Sequence, residues 1–133
     1  MGKRILLVDD DRVVLAVLCD ALERLGSEYD IVALRDAEQA RDLVDREHFD
    51  LLITDLSLPG MTGIELTDAL RVGGHRMRVV WITAHDCQKV CEEGEELGVY
   101  RCLDKPVGIE TIRQVVREAL NGHSPSLEPE PIA

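Results

Sequence analysis

Three short apolar runs, at residues 5–8, 51–54 and 79–82, are each followed directly by a polar side chain. Runs that are this short and apolar on both faces are typical of buried parallel strands. Ligand sites in open α/β sheets lie beyond the carboxyl ends of the strands. We therefore expect carboxylates, a hydroxyl and an ammonium group to meet at one edge of one sheet. The residues concerned are Asp9, Asp10, Asp55, Thr83 and, before Pro106, Lys105.

The rest of the chain alternates between strand and helix patterns. Apolar runs predict strands at 4–9, 29–34, 50–55, 77–83 and 100–104. Apolar stripes at helical spacing predict helices near 12–25, 36–47, 63–72, 86–97 and 107–121, the fourth being weakest because Gly94 interrupts it. Five βα units predict an α/β fold with a five-stranded parallel sheet covered by helices on both faces.

Length and charge limit the classes of function. A chain of 133 residues fits one domain, which we place at residues 3–121. The net charge of −11 disfavours direct nucleic-acid binding, and no apolar stretch is long enough to span a membrane. The Pro-rich and Glu-rich segment 122–133 has too few apolar residues to pack, so we expect a disordered tail or linker stub.

The four cysteines show no disulfide framework in their spacing. Cys87 and Cys91 are four residues apart on a predicted helix, and His85 alone would not complete a metal site with them. We expect all four thiols to be reduced and structural or solvent-facing, which indicates the cytoplasm.

The predicted cluster suits Mg²⁺ and a phosphoryl group. Mg²⁺ is usually held by one or two carboxylates together with phosphate oxygens. Packed carboxylates repel one another unless a cation neutralises them, and a carboxylate can serve as nucleophile in phosphoryl transfer. Lys105 and the Thr83 hydroxyl could each contact one oxygen of the transferred group.

These residues resemble a known family. The segments ILLVDDD, LLITDLSLPGMTG, WITA and LDKP are similar to those of the receiver domain of two-component response regulators, and the resemblance covers about residues 3–121. The resemblance implies a single doubly wound (βα)5 domain with strand order 2-1-3-4-5. It also implies a cis peptide bond between Lys105 and Pro106.

The resemblance assigns roles to individual residues. Asp55 would accept the phosphoryl group, and Thr83 and Lys105 would contact it. Asp10 and Asp55 would bind Mg²⁺ directly, the main-chain carbonyl of Ser57 would be a further ligand, and Asp9 would act through a metal-bound water. The side chains of Ser57 and His85 would tune hydrolysis of the acyl phosphate, although for His85 an ordinary surface role is equally expected.

Three positions depart from the family pattern. Cys102 stands where the family usually has the aromatic switch residue, so the switch in which Thr83 takes part is expected to be altered or rerouted. Tyr100, two residues earlier, should point to the same side as Cys102. Arg101 replaces an Asp used in dimer salt bridges by many DNA-binding relatives, and Thr62 replaces an Asp in the turn before a helix, where Thr caps nearly as well.

The expected function is a signalling switch that catalyses its own phosphorylation and dephosphorylation. The phosphoryl donor would be a phosphohistidine of a sensor histidine kinase or phosphotransfer protein, and the target an unidentified downstream protein or output domain. Phosphorylation of Asp55 would shift a two-state equilibrium in the distal face, formed by the fourth predicted helix, the fifth strand and the fifth helix. Partners would bind one of the two states better.

Two other functions remain open from the residues alone. The segment DDDRV also fits haloacid-dehalogenase-type phosphatases, with Asp9 as nucleophile and Asp11 as acid/base, although this assignment leaves Asp55 unexplained. A receiver fold that works as an unphosphorylated interaction module is the second alternative, although such modules usually lose an acidic residue or the Lys.

Overall fold

The computed structural model describes residues 2–121, which form five parallel strands and five α-helices. The strands are β1 (Lys3–Val8), β2 (Tyr29–Leu34), β3 (Leu51–Asp55), β4 (Arg78–Thr83) and β5 (Arg101–Asp104). The helices are α1 (Arg12–Glu23), α2 (Ala37–Arg46), α3 (Gly63–Val72), α4 (Cys91–Glu96) and α5 (Ile109–Leu120), with a 3-10 turn at Cys87–Val90 before α4. The predicted tail, 122–133, lies outside the described residues.

The predicted sheet is confirmed. Its order is β2-β1-β3-β4-β5, and every pairing is parallel. The topology is doubly wound because the chain covers one face of the sheet with α1 and α5 and the other with α2, α3 and the α4 region. Within residues 2–121, no helix combines the length and the apolar character needed to cross a membrane.

Two hydrophobic clusters cover the two faces of the sheet. One cluster joins side chains of α1 and α5 to the face that contains Ile5, Ile53 and Ile82. The other joins α2, α3 and the α4 region to the face that contains Leu6 and Trp81. The central strands β1, β3 and β4 are apolar on both faces because both faces are buried there, which is why they read as continuous runs in the sequence.

Side-chain caps fix where three of the helices, α1, α2 and α3, begin. The Asp11 carboxylate accepts hydrogen bonds from two main-chain N–H groups of α1, and Asp36 accepts from the Gln39 N–H. Thr62 and Glu65 form the reciprocal capping box that their spacing predicts. The predicted fourth helix forms in two parts, a 3-10 turn followed by α4. Gly94 is the one buried residue of α4, so this helix packs only weakly.

Two sequence predictions are wrong in the structure. Cys87 and Cys102 are joined by a disulfide, although the spacing of the cysteines shows no framework. Tyr100 packs in the cluster of α1 and α5, whereas Cys102 packs against the opposite cluster. The alternation rule fails here because Tyr100 precedes the first residue of β5, so the two side chains do not belong to one regular strand.

Candidate functional site

The predicted site residues lie at one edge of the sheet. Asp9 follows β1, Asp55 is the last residue of β3, Thr83 is the last residue of β4, and Lys105 follows β5. Because the strands are parallel, their carboxyl ends meet at this edge. Asp9, Asp55 and Thr83 are each at most 5% exposed, so their polar groups must find partners within the protein.

Lys105 connects the carboxylates. Its Nζ atom lies 2.8 Å from Asp55 Oδ2 and 3.2 Å from Asp9 Oδ2. Its side chain starts from the edge strand β5 and passes the end of β4 to reach β3 and β1. Hydrogen bonds to ionised groups are stronger than neutral ones, so this ammonium group orients both buried carboxylates.

Main-chain N–H groups hold the other oxygens of these two carboxylates. Asp9 Oδ1 accepts from the Asp11 N–H at 2.9 Å, and Asp55 Oδ1 accepts from the Ser57 N–H at 3.1 Å. Each carboxylate therefore has one oxygen bound to the backbone and one bound to Lys105. This arrangement fixes the rotation of both side chains.

Burial and the neighbouring charges shift the pKa values of Asp9 and Lys105. Burial raises the pKa of Asp9 and the charge of Asp55 adds to the effect, while the Asp11 N–H and Lys105 only partly oppose them. Burial by itself lowers the pKa of Lys105, but its hydrogen bonds and charge interactions with Asp55 and Asp9 outweigh burial and raise that pKa. The site therefore keeps Lys105 protonated and disfavours the ionised form of Asp9.

The carboxylates fit a divalent cation. Oxygen atoms of Asp9, Asp10 and Asp55 all lie within 4.8 Å of one another, and Asp10 is the exposed member. Three carboxylates against the single ammonium of Lys105 leave two negative charges uncompensated among these four groups. An all-oxygen set with an open, exposed side is the kind of site that Mg²⁺ occupies while keeping several waters.

The remaining predicted residues surround this cluster with different accessibility. The Thr83 hydroxyl accepts a hydrogen bond from the His85 N–H at 3.0 Å, and the Thr83 carbonyl accepts from the Lys105 N–H at 2.7 Å. Ser57 and His85 are exposed. Cys102 lies farther back on β5 and is bonded to Cys87, so the structure does not bring its side chain into the cluster.

The loop after Asp55 needs a glycine at the start of α3. A Cβ atom on Gly63 would collide with the Asp55 carbonyl oxygen and would approach Leu56 Cα to 2.9 Å. The Gly63 N–H donates to the Leu56 carbonyl at 3.1 Å, which holds this close approach. The predicted cis bond between Lys105 and Pro106 is also present.

Sequence reasoning missed two supporting residues. Asp11 caps α1 and supplies the N–H that holds Asp9, a role signalled only by its place before a helical stripe. The Asp104 carboxylate accepts a hydrogen bond from the Cys87 N–H at 3.0 Å. This contact between β5 and the turn before α4 has no local signal in the sequence.

The sequence model of the "Response regulator receiver domain" family matches residues 5–117. The chain belongs to this family. The receiver is 32% identical to "Sporulation initiation phosphotransferase F" of Bacillus subtilis over 90% of its own length and 95% of that protein. It is 36% identical to "Transcriptional regulatory protein CpxR" of Escherichia coli over 87% of its own length and 50% of that protein.

Solved structures agree with this assignment. The signal receiver domain of an HD domain-containing protein from Pseudomonas fluorescens matches with a TM-score of 0.82 at 30% identity, over 91% of this receiver and 96% of that chain. The receiver spans only 9–50% of the length of several other curated relatives, which include sensor proteins and regulators. It is therefore a receiver of two-component signalling, a unit that occurs both alone and within longer proteins.

The phosphatase alternative is not favoured. In that assignment Asp11 would be the acid/base, but here its carboxylate oxygen accepts from the N–H groups of Val13 and Val14 as the cap of α1. Because α1 begins at Arg12, no segment is available between the acidic triplet and the helix for the flap of those enzymes.

Proposed function

We propose that Asp55 accepts a phosphoryl group from a phosphohistidine of a sensor histidine kinase or phosphotransfer protein. The observation that supports this most directly is the pairing of Asp55 with Lys105 at 2.8 Å, deep in the strand ends yet beside the exposed Asp10. A buried nucleophile with a fixed cation beside it can receive a dianionic group that enters from the open side.

The transfer is a substitution at phosphorus. One carboxylate oxygen of Asp55 attacks, the P–N bond to the donor imidazole breaks, and its electron pair stays on the imidazole nitrogen. Lys105 contacts two carboxylates, so its ammonium can follow the negative charge onto a phosphoryl oxygen while it remains near Asp9. The Thr83 hydroxyl donates a hydrogen bond to another phosphoryl oxygen.

Mg²⁺ would be held by Asp10, Asp55 and the Ser57 carbonyl, with Asp9 acting through a bound water. When bound, it would neutralise negative charge on the phosphoryl oxygens and the carboxylates. The surplus of negative charge in the cluster supports this proposal, as does the raised pKa of Asp9, which is caused first by burial and then by the charge of Asp55.

The output is a change in the distal face rather than a released product. Phosphorylation adds about 1.5 to 2 negative charges and new acceptor oxygens at Asp55. These draw Thr83 and Lys105 towards the group and shift an equilibrium that a downstream protein or output domain reads. We propose that the domain is such a switch, catalysing only its own phosphorylation and dephosphorylation, with Ser57 and His85 tuning the latter.

The proposed surroundings follow from the same reasoning. Residues 3–121 are the receiver, and 122–133 are a tail or a linker to an output domain. The charge of −11 argues against direct contact with nucleic acid. The cytoplasm is the proposed compartment because kinases that make phosphohistidine use ATP.

A mass measurement tests the proposal. The chain is incubated with acetyl phosphate and Mg²⁺, and intact mass is compared for the native chain, Asp55→Asn and the exposed α3 control Asp68→Asn. We expect one added phosphoryl group in the native chain and in Asp68→Asn, and none in Asp55→Asn or without Mg²⁺. An adduct of equal yield in Asp55→Asn would refute Asp55 as acceptor, and no adduct in the native chain would favour an unphosphorylated interaction module.

A further inference from the structure

Two bonds tie the turn before α4 to strand β5. Cys87, the first residue of the 3-10 turn, is disulfide-bonded to Cys102 in β5, with Cα atoms 5.9 Å apart. That separation lies within the usual range for disulfides. The second bond is the hydrogen bond from the Cys87 N–H to Asp104 Oδ1, at 3.0 Å.

Both bonded cysteines lie close in sequence to residues of the proposed phosphorylation site. Only residues 84–86 separate Thr83 from Cys87, and only 103–104 separate Cys102 from Lys105. Thr83 and Lys105 are also joined through their backbones at 2.7 Å. Both residues that would contact the phosphoryl group are therefore held close to the bridged pair.

The other two cysteines differ from this pair. Cys19 packs against the cluster of α1 and α5, and the Cys91 thiol donates to Glu95 Oε1 at 3.6 Å. Burial and neighbouring Glu23 raise the pKa of Cys19, and burial and neighbouring Glu95 raise the pKa of Cys91. Both thiols therefore ionise less readily to the reactive thiolate. Cys87 and Cys102 differ because their Cα atoms lie at the separation that a disulfide requires.

We propose that Cys87 and Cys102 are a reversible redox site that restrains residues 84–90 and thereby slows phosphorylation of the receiver. Disulfides in cytoplasmic proteins are usually transient and redox-sensing, which agrees with the proposed compartment. The site itself stands on geometry alone, while its effect on phosphorylation rests on the proposed function of Asp55.

The redox step is thiol–disulfide exchange with a small disulfide of the glutathione class. One protein thiolate attacks a sulfur of the small disulfide, whose S–S bond breaks and releases one small thiol. The second protein thiolate then attacks the protein sulfur of the mixed disulfide and releases the second small thiol. The protein loses two electrons, the small disulfide gains them, and the two thiol protons of the protein end on the two released thiols.

The disulfide opposes the movements that phosphorylation would require near Thr83. In the disulfide form the His85 N–H donates to the Thr83 hydroxyl, and the chain that follows is fixed to β5 at Cys87. Turning that hydroxyl towards a phosphoryl oxygen breaks this hydrogen bond unless residues 84–86 move with it, and the bond at Cys87 restricts that movement. The bridge also joins the turn before α4 to β5 at the position of the usual aromatic switch, so it opposes rearrangement there.

The first experiment locates the bond. The full chain is equilibrated with oxidised or reduced glutathione, alkylated and mapped by peptide mass. We expect a Cys87–Cys102 bridge in the oxidised sample, reversal by reduced glutathione, and free Cys19 and Cys91. Equal alkylation of all four cysteines after oxidation would overturn the site.

The second experiment measures the consequence in the same samples. Hydrogen exchange at residues 84–90 should be faster after reduction. Phosphorylation by acetyl phosphate and Mg²⁺ should be at least about fivefold faster in the reduced chain, which is the lower end of typical coupling between sites. Cys19→Ser/Cys91→Ser should keep this redox dependence, and Cys102→Ser and Cys87→Ala, made separately in case one fails to fold, should each lose it.

The outcomes separate the two proposals. A bridge that forms without changing exchange or phosphorylation would overturn the regulatory role and leave a structural crosslink. If neither form accepts a phosphoryl group, the function proposed for Asp55 fails, and the bridge together with redox-dependent exchange would still support the redox site.

Discussion

The Nζ atom of Lys105 lies 2.8 Å from Asp55 Oδ2, across the end of the strand that separates β5 from β3. The same ammonium lies 3.2 Å from Asp9, so one cation serves two buried carboxylates. It occupies the region in which a divalent cation and a phosphoryl group are proposed to bind. It therefore repels the cation and attracts the phosphoryl group.

Replacing Lys105 should have opposite effects on metal binding and on phosphorylation. Lys105→Gln removes a positive charge that repels Mg²⁺, so we expect Mg²⁺ to bind at least about tenfold more tightly. Tenfold corresponds to about 1.4 kcal/mol, which is less than the roughly 4 kcal/mol between two unit charges 4 Å apart at an effective dielectric constant of 20. Phosphorylation should fall because a phosphoryl oxygen loses its partner.

Titration of the single tryptophan fluorescence with Mg²⁺ measures the first effect, and intact mass measures the second. Lys89→Gln, in the exposed turn before α4, is the charge-matched control and should change neither. Weaker Mg²⁺ binding in Lys105→Gln would contradict the proposed balance of charges.

Asp11 distinguishes a helix cap from a catalytic acid. Asn caps helices about as well as Asp, so Asp11→Asn should change the free energy of unfolding by only a few tenths of a kcal/mol and keep phosphorylation. Asp11→Ala should lose about 1 kcal/mol because α1 loses its cap. Urea unfolding and intact mass measure the two properties, and loss of phosphorylation in a stable Asp11→Asn protein would revive the phosphatase mechanism.

Gly63 should be sensitive to a single added methyl group. In Gly63→Ala the new Cβ would meet the Asp55 carbonyl and Leu56 Cα, so we expect a loss of about 1–3 kcal/mol and slower phosphorylation as Asp55 is displaced. Gly73→Ala, at the other end of α3, meets only the His75 side chain and the Ala69 carbonyl at 3.3–3.4 Å and is the matched control. Equal urea midpoints for the two variants would contradict the close approach.

Much of this fold is predictable because the three central strands, β1, β3 and β4, are buried on both faces. The runs that predict strands at 4–9 and 50–55 end within one residue of β1 and β3, and the polar residues after them fix the edge at which the site forms. The cap pair Thr62 and Glu65 is likewise local, so its spacing suffices.

Contacts between sequence-distant side chains are harder to predict. The bond between Cys87 and Cys102 depends on how the turn before α4 lies against β5, and neither element has a strong apolar pattern. The shared contact of Lys105 with Asp9 depends on a side-chain conformation. The alternation rule places Tyr100 on the wrong face because Tyr100 precedes the first residue of β5.

Asp50 should give the stability of the protein a defined pH dependence. Burial opposes ionisation of Asp50, but the Arg4 N–H at 2.8 Å and His48 at 3.0 Å outweigh it and lower the pKa of Asp50. A lowered native pKa stabilises the fold above the unfolded value of about 3.9, and this contribution is lost as pH falls through the native pKa.

The variant Asp50→Asn tests this sign. It should lose about 1 kcal/mol at pH 7, since a hydrogen bond to a charged group contributes about 1.5–3 kcal/mol and the amide oxygen keeps part of it. The difference from the native chain should shrink in urea unfolding as pH falls below about 4. The exposed Asp42→Asn is the control, and a difference that stays constant with pH would contradict the assignment.

The most direct test of the central claim is to identify the residue that carries the phosphoryl group. The native chain is phosphorylated with acetyl phosphate and Mg²⁺, and the acyl phosphate is reduced with borohydride, which converts a phosphorylated Asp to homoserine. Peptide mass mapping then locates the homoserine. We predict homoserine at position 55 only; homoserine at position 9 would contradict the account and make Asp9 the nucleophile.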